Sequence, residues 1–225
     1  MIRAIIFDLD DTLYPEAGFV HSGYKAVSDA VNRRWGFEIY DELVDLFQAG
    51  HSGDRFTPVL KRHMGTVSES YVKELVEVYR GHEPQITPFP ETREILDTLR
   101  ATHDLALISD GYLDVQARKL DALEMRYYFE PVIFTDTWGR DFWKPHPRAF
   151  EECARLLALD PAAMVYVGDN PSKDFVAPKK MGMRTVRVRR PGTLHHREDH
   201  PPELEADDQI ASLAELPALL PSFSR

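Results

Sequence analysis

The sequence contains very little cysteine and no long hydrophobic run. One of its 225 residues is cysteine, Cys153, which excludes a framework of intrachain disulfides and fits a reducing compartment. Cys153 lies within a helical pattern, which favours a small buried apolar residue over a nucleophile. No apolar stretch approaches the roughly 18 residues that a membrane span requires. The apolar run at the N-terminus is short and broken by Asp8, unlike a secretory signal. We therefore expect a cytoplasmic protein with no membrane partner.

Positive charge is also scarce. The chain has 27 Lys and Arg against 37 Asp and Glu, a formal net charge of −10 at pH 7. A protein that binds a nucleic acid polymer by neutralising its phosphates is normally basic, so this composition disfavours such a partner. Local basic residues can still bind a small phosphate. Apolar residues make up 43% and charged residues 28% of the chain, proportions that indicate a folded core.

Five short apolar runs are typical of buried strands. They are residues 2–7, 105–109, 131–135, 164–167 and 185–188. Helical patterns separate the later runs, at residues 91–99, 115–123, 148–157 and 179–181. Strands that alternate with helices favour right-handed crossovers and a parallel sheet. The sequence therefore predicts an α/β fold.

The interval between the first two predicted strands is too long for a single crossover helix. Its helical patterns are residues 20–35, 40–48, 55–64 and 68–79, separated by glycines. We predict a helical subdomain of roughly four helices, inserted at residues 15–85. Residues 1–14 and 86–225 then form the sheet domain. The alternative is that these helices pack on the sheet as extra layers.

The segment from residue 189 to residue 208 is rich in Pro, His and acidic residues and has no periodicity. This composition predicts an exposed loop. His195, His196 and His200 could ligate a metal, but no other ligand pattern supports a metal there, which favours a solvated loop. A last short helix is predicted near residues 211–220.

Polar side chains follow four of the predicted strands. They are Asp8 and Asp10 after the first, Ser109, Asp110 and Gly111 after the second, Lys144 after the third, and Asp169, Asn170 and Asp174 after the fourth. The carboxyl ends of parallel strands share one edge of the sheet, where ligands bind, so we expect these residues to converge. The acids repel one another by about 4 kcal/mol for a pair roughly 4 Å apart at an effective dielectric of about 20. A divalent cation would offset that repulsion.

Each of these residue types has a chemical use. A carboxylate at Asp8 can attack phosphorus, and Asp10 can protonate the leaving oxygen and later deprotonate water. Ser109 and neighbouring backbone N–H groups precede a helix and can hold phosphate oxygens. Lys144 can neutralise the nucleophile and the phosphoryl oxygens. Asp169 can complete the oxygen shell of Mg²⁺.

Taken singly, each residue also has a structural interpretation. Asp10 can be a turn residue or a helix cap, Ser109 an N-cap, and Lys144 a surface lysine before a helix. Asp174 fits a residue that orients the metal shell better than a ligand. All of them together in one pattern favour a functional site.

The pattern resembles the haloacid dehalogenase-like hydrolase superfamily. The matching segments are Asp8-Leu9-Asp10-Asp11-Thr12, Ile108-Ser109, Lys144-Pro145 and Gly168-Asp169-Asn170-Pro171-Ser172-Lys173-Asp174. They stand in the family's order, and the resemblance covers nearly the whole chain. It implies a Rossmann-like core, a helical cap inserted after the first motif, and Mg²⁺-dependent phosphoryl transfer through an aspartyl-phosphate.

The resemblance also assigns roles. Asp8 is the nucleophile and a metal ligand, and Asp10 is the acid/base, which ligates the metal through its carbonyl. The remaining assignments are Asp169 as a metal ligand, Asp174 and Asn170 behind the metal shell, and Thr12, Ser109, Asp110, Gly111 and Lys144 around the phosphate. Asp110 departs from the family, because Asn is usual at its position. A carboxylate beside a phosphate is unfavourable unless it points away or meets a cationic substrate group.

These observations predict a Mg²⁺-dependent phosphatase for a small phosphorylated metabolite, either a sugar phosphate or a nucleoside monophosphate. The predicted cap is large enough to close over the site and exclude water. A phosphomutase on the same fold is one alternative. A dehalogenase is a second, although it needs no acid at Asp10. A binding protein is a third, although it would be expected to have lost one of Asp8, Asp10, Lys144 or Asp169.

Overall fold

A computed structural model of the protein describes residues 1–195 and 199–224. The chain forms two compact units. The sheet unit comprises Met1–Ala17 and Ile86–Arg225, and the helical unit comprises Gly18–Gln85. None of the described helices is both long enough and apolar enough to cross a membrane.

The sheet unit contains six parallel strands within its described residues. They are β1 (Ala4–Phe7), β2 (Asp104–Ser109), β3 (Val132–Phe134), β4 (Met164–Gly168), β5 (Arg184–Val188) and β6 (Asp208–Ile210). Their order across the sheet is β3-β2-β1-β4-β5-β6, and all neighbouring pairs are parallel. β1 lies in the middle, with Ile5 beside Leu105 on one side and Val165 on the other. The predicted parallel α/β fold is confirmed.

The sequence pattern does not predict β6. Its three residues include one apolar side chain, Ile210, too few to show a strand period. The strand pairs with β5 through Ile210 and Val188. Asp208, placed by its sequence at the end of an exposed loop, is instead the first residue of this strand.

Most helices in the described part of the chain follow the predicted pattern with small shifts at their ends, but the helix predicted near residues 211–220 is α-helical only at Leu216–Leu219. They are α1 (Glu16–Trp35), α2 (Tyr40–Gln48), α3 (Phe56–Met64), α4 (Glu69–Gly81), α5 (Thr92–Arg100), α6 (Leu113–Ala122), α7 (Arg148–Leu157), α8 (Val176–Met181) and α9 (Leu216–Leu219). Short 3-10 turns occur at Arg126–Tyr128, Thr135–Trp138, Arg140–Phe142, Pro161–Ala163, Leu213–Glu215 and Leu220–Ser224. α8 begins at Val176, three residues before the predicted start at residue 179. Pro178 is tolerated there because it lies in the first turn, where a missing N–H costs no helical hydrogen bond.

The core of the sheet unit explains why the strand runs are continuously apolar. All four residues of β1 are buried, as expected for a parallel strand covered on both faces. On one face Ile6 packs in a cluster with Ala106, Phe150 and Tyr166. Cys153 is fully buried in the same cluster, and burial raises the pKa of its thiol to about 12, which favours a packing role over a reactive one.

The helical unit has its own core. The buried side chains Val27, Val31, Leu43, Val59 and Leu75 come from all four of its helices. Apolar residues three or four positions apart form a stripe along an amphipathic helix, and such stripes form a core when they face one another. This unit therefore buries apolar surface independently of the sheet.

Gly23 of α1 provides a test of the packing in the helical unit. A Cβ at this position would lie 2.4 Å from Cε2 of Tyr79, and that ring also packs against Phe19 and Tyr24. We predict that Gly23→Ala lowers the free energy of unfolding by about 1–3 kcal/mol through overpacking, although alanine favours the helix by roughly 1 kcal/mol. Thermal and urea unfolding measure the change. Gly81→Ala is the matched control, since a Cβ there meets no heavy atom within 4 Å, and its stability should be unchanged or higher. Equal stability of both variants would contradict the packing described.

Candidate active site

The residues predicted from the strand ends lie at the carboxyl edge of the sheet. Asp8 directly follows β1, Ser109 ends β2, and Asp169 directly follows β4. These three strands are adjacent and parallel, so their ends meet where open α/β sheets bind ligands. The backbone N–H of Asp8 donates to the carbonyl oxygen of Val167 at 2.8 Å. This bond extends the pairing of β1 with β4 up to the site.

The ammonium group of Lys144 joins residues from the two central strands. Nζ donates to Asp8 Oδ1 at 2.6 Å, to Asp174 Oδ1 at 2.8 Å and to the hydroxyl oxygen of Tyr166 at 2.8 Å. Its three N–H bonds thus have three acceptors, and its side chain has no solvent exposure. Burial disfavours the charged form, but Asp174 and Asp8 outweigh burial and raise the pKa of Lys144 well above its usual value. Lys144 is therefore a fixed positive charge beside Asp8.

A cluster of buried carboxylates lies next to Lys144. One carboxylate oxygen each of Asp8, Asp169 and Asp174 lie within 4.8 Å of one another. Burial, and then the negative charges of Asp174 and Asp8, raise the pKa of Asp169 well above its usual value. Burial raises the pKa of Asp8 to about 6, although Lys144 opposes that shift. The cluster thus holds more negative charge than Lys144 neutralises.

The oxygens of this cluster differ in what they contact. Oδ2 of Asp8 is buried and accepts no hydrogen bond from the described residues. Asp174 is fully engaged, because Oδ1 accepts from Lys144 and from the Tyr166 hydroxyl, and Oδ2 accepts from the backbone N–H of Asn170 at 2.9 Å. An unpartnered carboxylate oxygen within an acidic cluster suits a divalent cation, which prefers oxygen ligands. The arrangement fits Asp8 and Asp169 as possible ligands and Asp174 as a residue that orients them.

A separate network holds the carboxylate of Asp10. Oδ1 accepts hydrogen bonds from Lys119 Nζ at 2.7 Å and from the Tyr14 hydroxyl, and Oδ2 accepts from Gln116 Nε2 at 2.7 Å. Burial alone would raise the pKa of Asp10, but the charge of Lys119 and the three hydrogen bonds outweigh burial and lower it. The side chain of Asp10 does not belong to the acidic cluster described above.

The sequence did not lead us to expect Gln116 or Lys119 at Asp10, and it suggested Tyr14 only as one of several residues that could read the substrate. A signal was present, since Gln116 and Lys119 are three residues apart and therefore share one face of α6, the helix that follows Ser109. Tyr14 lies four residues after Asp10, and its ring is fully buried. A polar pair on the buried face of a helix is a sign of a specific partner.

Ser109 is tied to Asp10 by one of these residues. Gln116 Nε2 donates to Ser109 Oγ at 2.6 Å as well as to Asp10. Gly111 has a φ of +122°, and a Cβ there would lie 3.1 Å from the side chain of Gln116. A glycine is thus needed for the backbone conformation and for the space that Gln116 occupies. Phosphate binding by Gly111 stays a prediction.

Asp110 is not one of the clustered carboxylates. Its Oδ1 accepts from the Thr135 hydroxyl at 2.7 Å and from the backbone N–H of Lys144 at 3.1 Å, and its Oδ2 lies 3.6 Å from Lys173 Nζ. These contacts favour a residue that supports the segment carrying Lys144 over one that binds phosphate directly. Thr12, predicted near the phosphate, is buried, and its hydroxyl oxygen has no hydrogen-bond partner among the described residues.

The described residues of the segment after β5 are mostly exposed or half-buried, as predicted for a loop, but the segment is anchored near the site. The buried guanidinium of Arg187 donates to the carbonyl oxygen of His195 at 2.8 Å and to Glu205 Oε1 at 2.7 Å. The carboxylate of Asp11 accepts from the backbone N–H of Leu194 at 2.8 Å. A strand residue with a buried charge imposes this path on the chain, because the charge requires polar partners.

The histidines of this segment do not form a metal site among the described residues. His195 Nε2 lies 3.0 Å from Nδ2 of Asn170, the residue predicted behind the metal shell. Neither His195 nor His200 belongs to the carboxylate cluster that could hold a metal. His196 lies outside the described residues.

Comparisons with known proteins agree with the fold and the motifs. A sequence model of haloacid dehalogenase-like hydrolases matches residues 5–188. A protein of Methanopyrus kandleri named glyceraldehyde 3-phosphate phosphatase is 31% identical over 201 residues, which are 84% of this chain and 85% of the relative. The human protein named N-acylneuraminate-9-phosphatase is 25% identical over 241 residues, 99% of this chain and 95% of the relative.

A solved structure extends the similarity to the fold of the whole chain. The 2-haloacid dehalogenase from Pseudomonas syringae pv. Tomato DC3000 superposes with a TM-score of 0.69 at 24% identity, covering 99% of this chain and 100% of the dehalogenase. The fold is thus shared with a dehalogenase, whereas the two relatives by sequence carry the names of phosphatases. Because the family's sequence model spans most of the chain, this protein belongs to the haloacid dehalogenase-like hydrolase family.

Proposed function

We propose that the protein is a Mg²⁺-dependent phosphatase that hydrolyses a small phosphate ester through an aspartyl-phosphate on Asp8. The observation that carries the proposal is the buried Oδ2 of Asp8, which has no hydrogen-bond partner in residues 1–195 and 199–224 and belongs to a carboxylate held by the ammonium of Lys144. A carboxylate oxygen with a free lone pair and a fixed positive neighbour can act as a nucleophile on an anionic phosphate. The names of both sequence relatives support a phosphorylated metabolite as substrate.

The reaction proceeds in two steps. An oxygen of Asp8 forms a bond to phosphorus while the ester P–O bond breaks, and the leaving oxygen takes a proton from Asp10. A water molecule then attacks the phosphorus, Asp10 takes up its proton, and phosphate leaves Asp8 free. Lys144 neutralises charge on Asp8 and on the phosphoryl group, while Ser109 and Thr12 supply hydroxyl groups for its oxygens.

The protonation state of Asp10 must change between these steps. In the structure the pKa of Asp10 is lowered by Lys119 and by its hydrogen bonds, against the effect of burial, so the carboxylate is suited to accept the proton of water. A bound phosphate adds negative charge nearby, which raises the pKa of a carboxylate. We propose that the substrate itself thereby makes Asp10 an acid for the first step.

The donor set around Asp8 fits a magnesium ion. Asp8 and Asp169 would hold it through carboxylate oxygens, with the carbonyl of Asp10 as a further ligand, and Asp174 and Asn170 behind them. Hard oxygen donors and few protein carboxylates are typical of Mg²⁺ sites. When bound, such an ion supplies positive charge that offsets the repulsion among the acids and the phosphate.

Two other reactions on this fold differ from the proposal in testable ways. A dehalogenase has no use for a proton donor at Asp10, so the network that holds Asp10 favours a phosphatase. A phosphomutase would return the phosphoryl group to its substrate instead of releasing it. A phosphate-release screen across sugar phosphates and nucleoside monophosphates separates these cases and identifies the substrate class. The relatives' names favour the sugar phosphates, and the lone buried Cys153 suits a cytoplasmic enzyme.

Replacing the nucleophile should abolish activity. We predict that Asp8→Asn releases no phosphate from 4-nitrophenyl phosphate in Mg²⁺, because a neutral amide is a poor nucleophile. EDTA should likewise abolish the wild-type activity, and added Mg²⁺ should restore it. Asp141→Asn, a change at an exposed acidic residue of the sheet unit, is the matched control and should remain active. Full activity of Asp8→Asn, or of the EDTA-treated enzyme, would overturn the mechanism.

Replacing Asp10 should slow the chemical step with little change in substrate binding. We predict that Asp10→Asn lowers kcat by about 10² or more, the usual scale of acid–base catalysis, whereas KM changes little. Asparagine keeps a similar volume, and circular dichroism checks that the variant is folded. An unchanged kcat in a folded variant would remove Asp10 from the reaction.

Metal binding can be measured without activity. Because burial and neighbouring acids raise the pKa of Asp169, its ionised form opposes folding at neutral pH, and Asp169→Asn should melt at or above the wild-type temperature without metal. Saturating Mg²⁺ should stabilise the wild type by about 2–3 kcal/mol at roughly 100 times its Kd. The variant should gain much less. Equal stabilisation of both proteins by Mg²⁺ would exclude Asp169 as a ligand.

A further inference from the structure

Two buried side chains of α6 contact the residues to which the proposed reaction assigns proton transfer and phosphate binding. Gln116 and Lys119 are exposed by only 2% and 4%. Lys119 Nζ lies 2.7 Å from Asp10 Oδ1, and Gln116 Nε2 lies 2.7 Å from Asp10 Oδ2 and 2.6 Å from Ser109 Oγ. Two polar side chains of this size are seldom buried without specific partners.

The direction of the hydrogen bonds of Gln116 follows from Asp10. An ionised carboxylate only accepts hydrogen bonds, so the amide nitrogen of Gln116, which carries two N–H bonds, must face it. The second N–H of that nitrogen points to Ser109 Oγ, which therefore acts as an acceptor. The hydroxyl hydrogen of Ser109 is then left to donate to another group, as a phosphoryl oxygen requires.

The two oxygens of Asp10 are held unequally. Oδ1 accepts from both Lys119 and the Tyr14 hydroxyl, whereas among the described residues only Gln116 donates to Oδ2. A carboxylate oxygen can accept two hydrogen bonds, so Oδ2 retains a lone pair. Oδ2 is thus the oxygen that can take up and release a proton while Oδ1 remains fixed.

We propose that Gln116 and Lys119 are positioning residues of the reaction. They fix the carboxylate of Asp10 so that its proton moves at Oδ2, and Gln116 turns the hydroxyl of Ser109 into a donor for a phosphoryl oxygen. In this scheme neither residue contacts the substrate: both act through Asp10, and Gln116 also acts through Ser109. The inference rests on the proposed phosphatase activity, and it adds two residues that the strand-end motifs do not contain.

The test compares two esters that differ in their need for an acid. A sugar phosphate, taken as the one ranked first by the phosphate-release screen, has a basic leaving oxygen that must be protonated. The leaving oxygen of 4-nitrophenyl phosphate is weakly basic and departs with little help. The value of kcat/KM for each ester reports on the step in which the ester bond breaks.

We expect Lys119→Met to lower kcat/KM for the sugar phosphate about tenfold more than for the aryl phosphate, because only the former depends on Asp10 as an acid. Lys119→Arg, which keeps the charge, should recover most of the difference. Arg118→Met removes a cation from the exposed face of the same helix and should leave both values unchanged. Thermal melting checks that each protein is folded.

Gln116→Met is the second variant, and it carries the test if Lys119→Met does not fold. It should show the same preference for the aryl ester, and in addition inorganic phosphate should inhibit it about tenfold more weakly, because Ser109 is no longer oriented as a donor. Lys119→Met should leave inhibition by phosphate nearly unchanged.

An equal loss for both esters in the folded variants would show a purely structural role and overturn the inference. So would unchanged kinetics in both variants. A wild-type protein that releases phosphate from neither ester would overturn the proposed function itself, an outcome distinct from either of these.

Discussion

The buried ammonium of Lys144 is the interaction on which the rest of the site depends. It donates to Asp8, Asp174 and Tyr166, and so links the end of β1 with the end of β4 and the loop after it. Without it, Asp8 and Asp174 would lose the cation that donates to both of them, and a buried charge left uncompensated costs several kcal/mol. Lys144 therefore makes an acidic cluster possible at the sheet edge, and it leaves one oxygen of Asp8 with no hydrogen-bond partner in the described part of the chain.

Asp8 and Asp10 lie in different environments, and each is paired with a different lysine. Asp8 lies with Lys144 among other carboxylates, and burial raises its pKa to about 6. Asp10 lies with Lys119 and two neutral donors, which lower its pKa against the effect of burial. Carboxylates whose pKa values are pushed apart can take different roles in one reaction. The pKa values of Asp8 and Asp10 differ although the two residues are only two positions apart, because their side chains contact different partners beyond the end of the strand.

The fold was largely predictable from the sequence, and the supporting contacts of the site were not. Runs such as residues 2–7 are apolar throughout, which is sufficient to predict a buried parallel strand. The segment Asp208–Ile210 lacks that pattern and becomes a strand only because β5 offers it an edge. Gln116 and Lys119 are polar residues on a helix, and only the packing of α6 on the sheet decides which of them meet Asp10. The path of the chain after β5 depends on the buried charge of Arg187. The local sequence pattern does not predict that this arginine is buried.

The central claim is that Asp8 carries the phosphoryl group during the reaction. The most direct measurement quenches the enzyme during turnover and reduces it with borohydride, which converts an aspartyl-phosphate to homoserine, before the peptides are identified by mass spectrometry. Homoserine is expected at residue 8 and at no other aspartate, and only when substrate was present. Turnover with no conversion at residue 8, or with conversion at another aspartate, would contradict it.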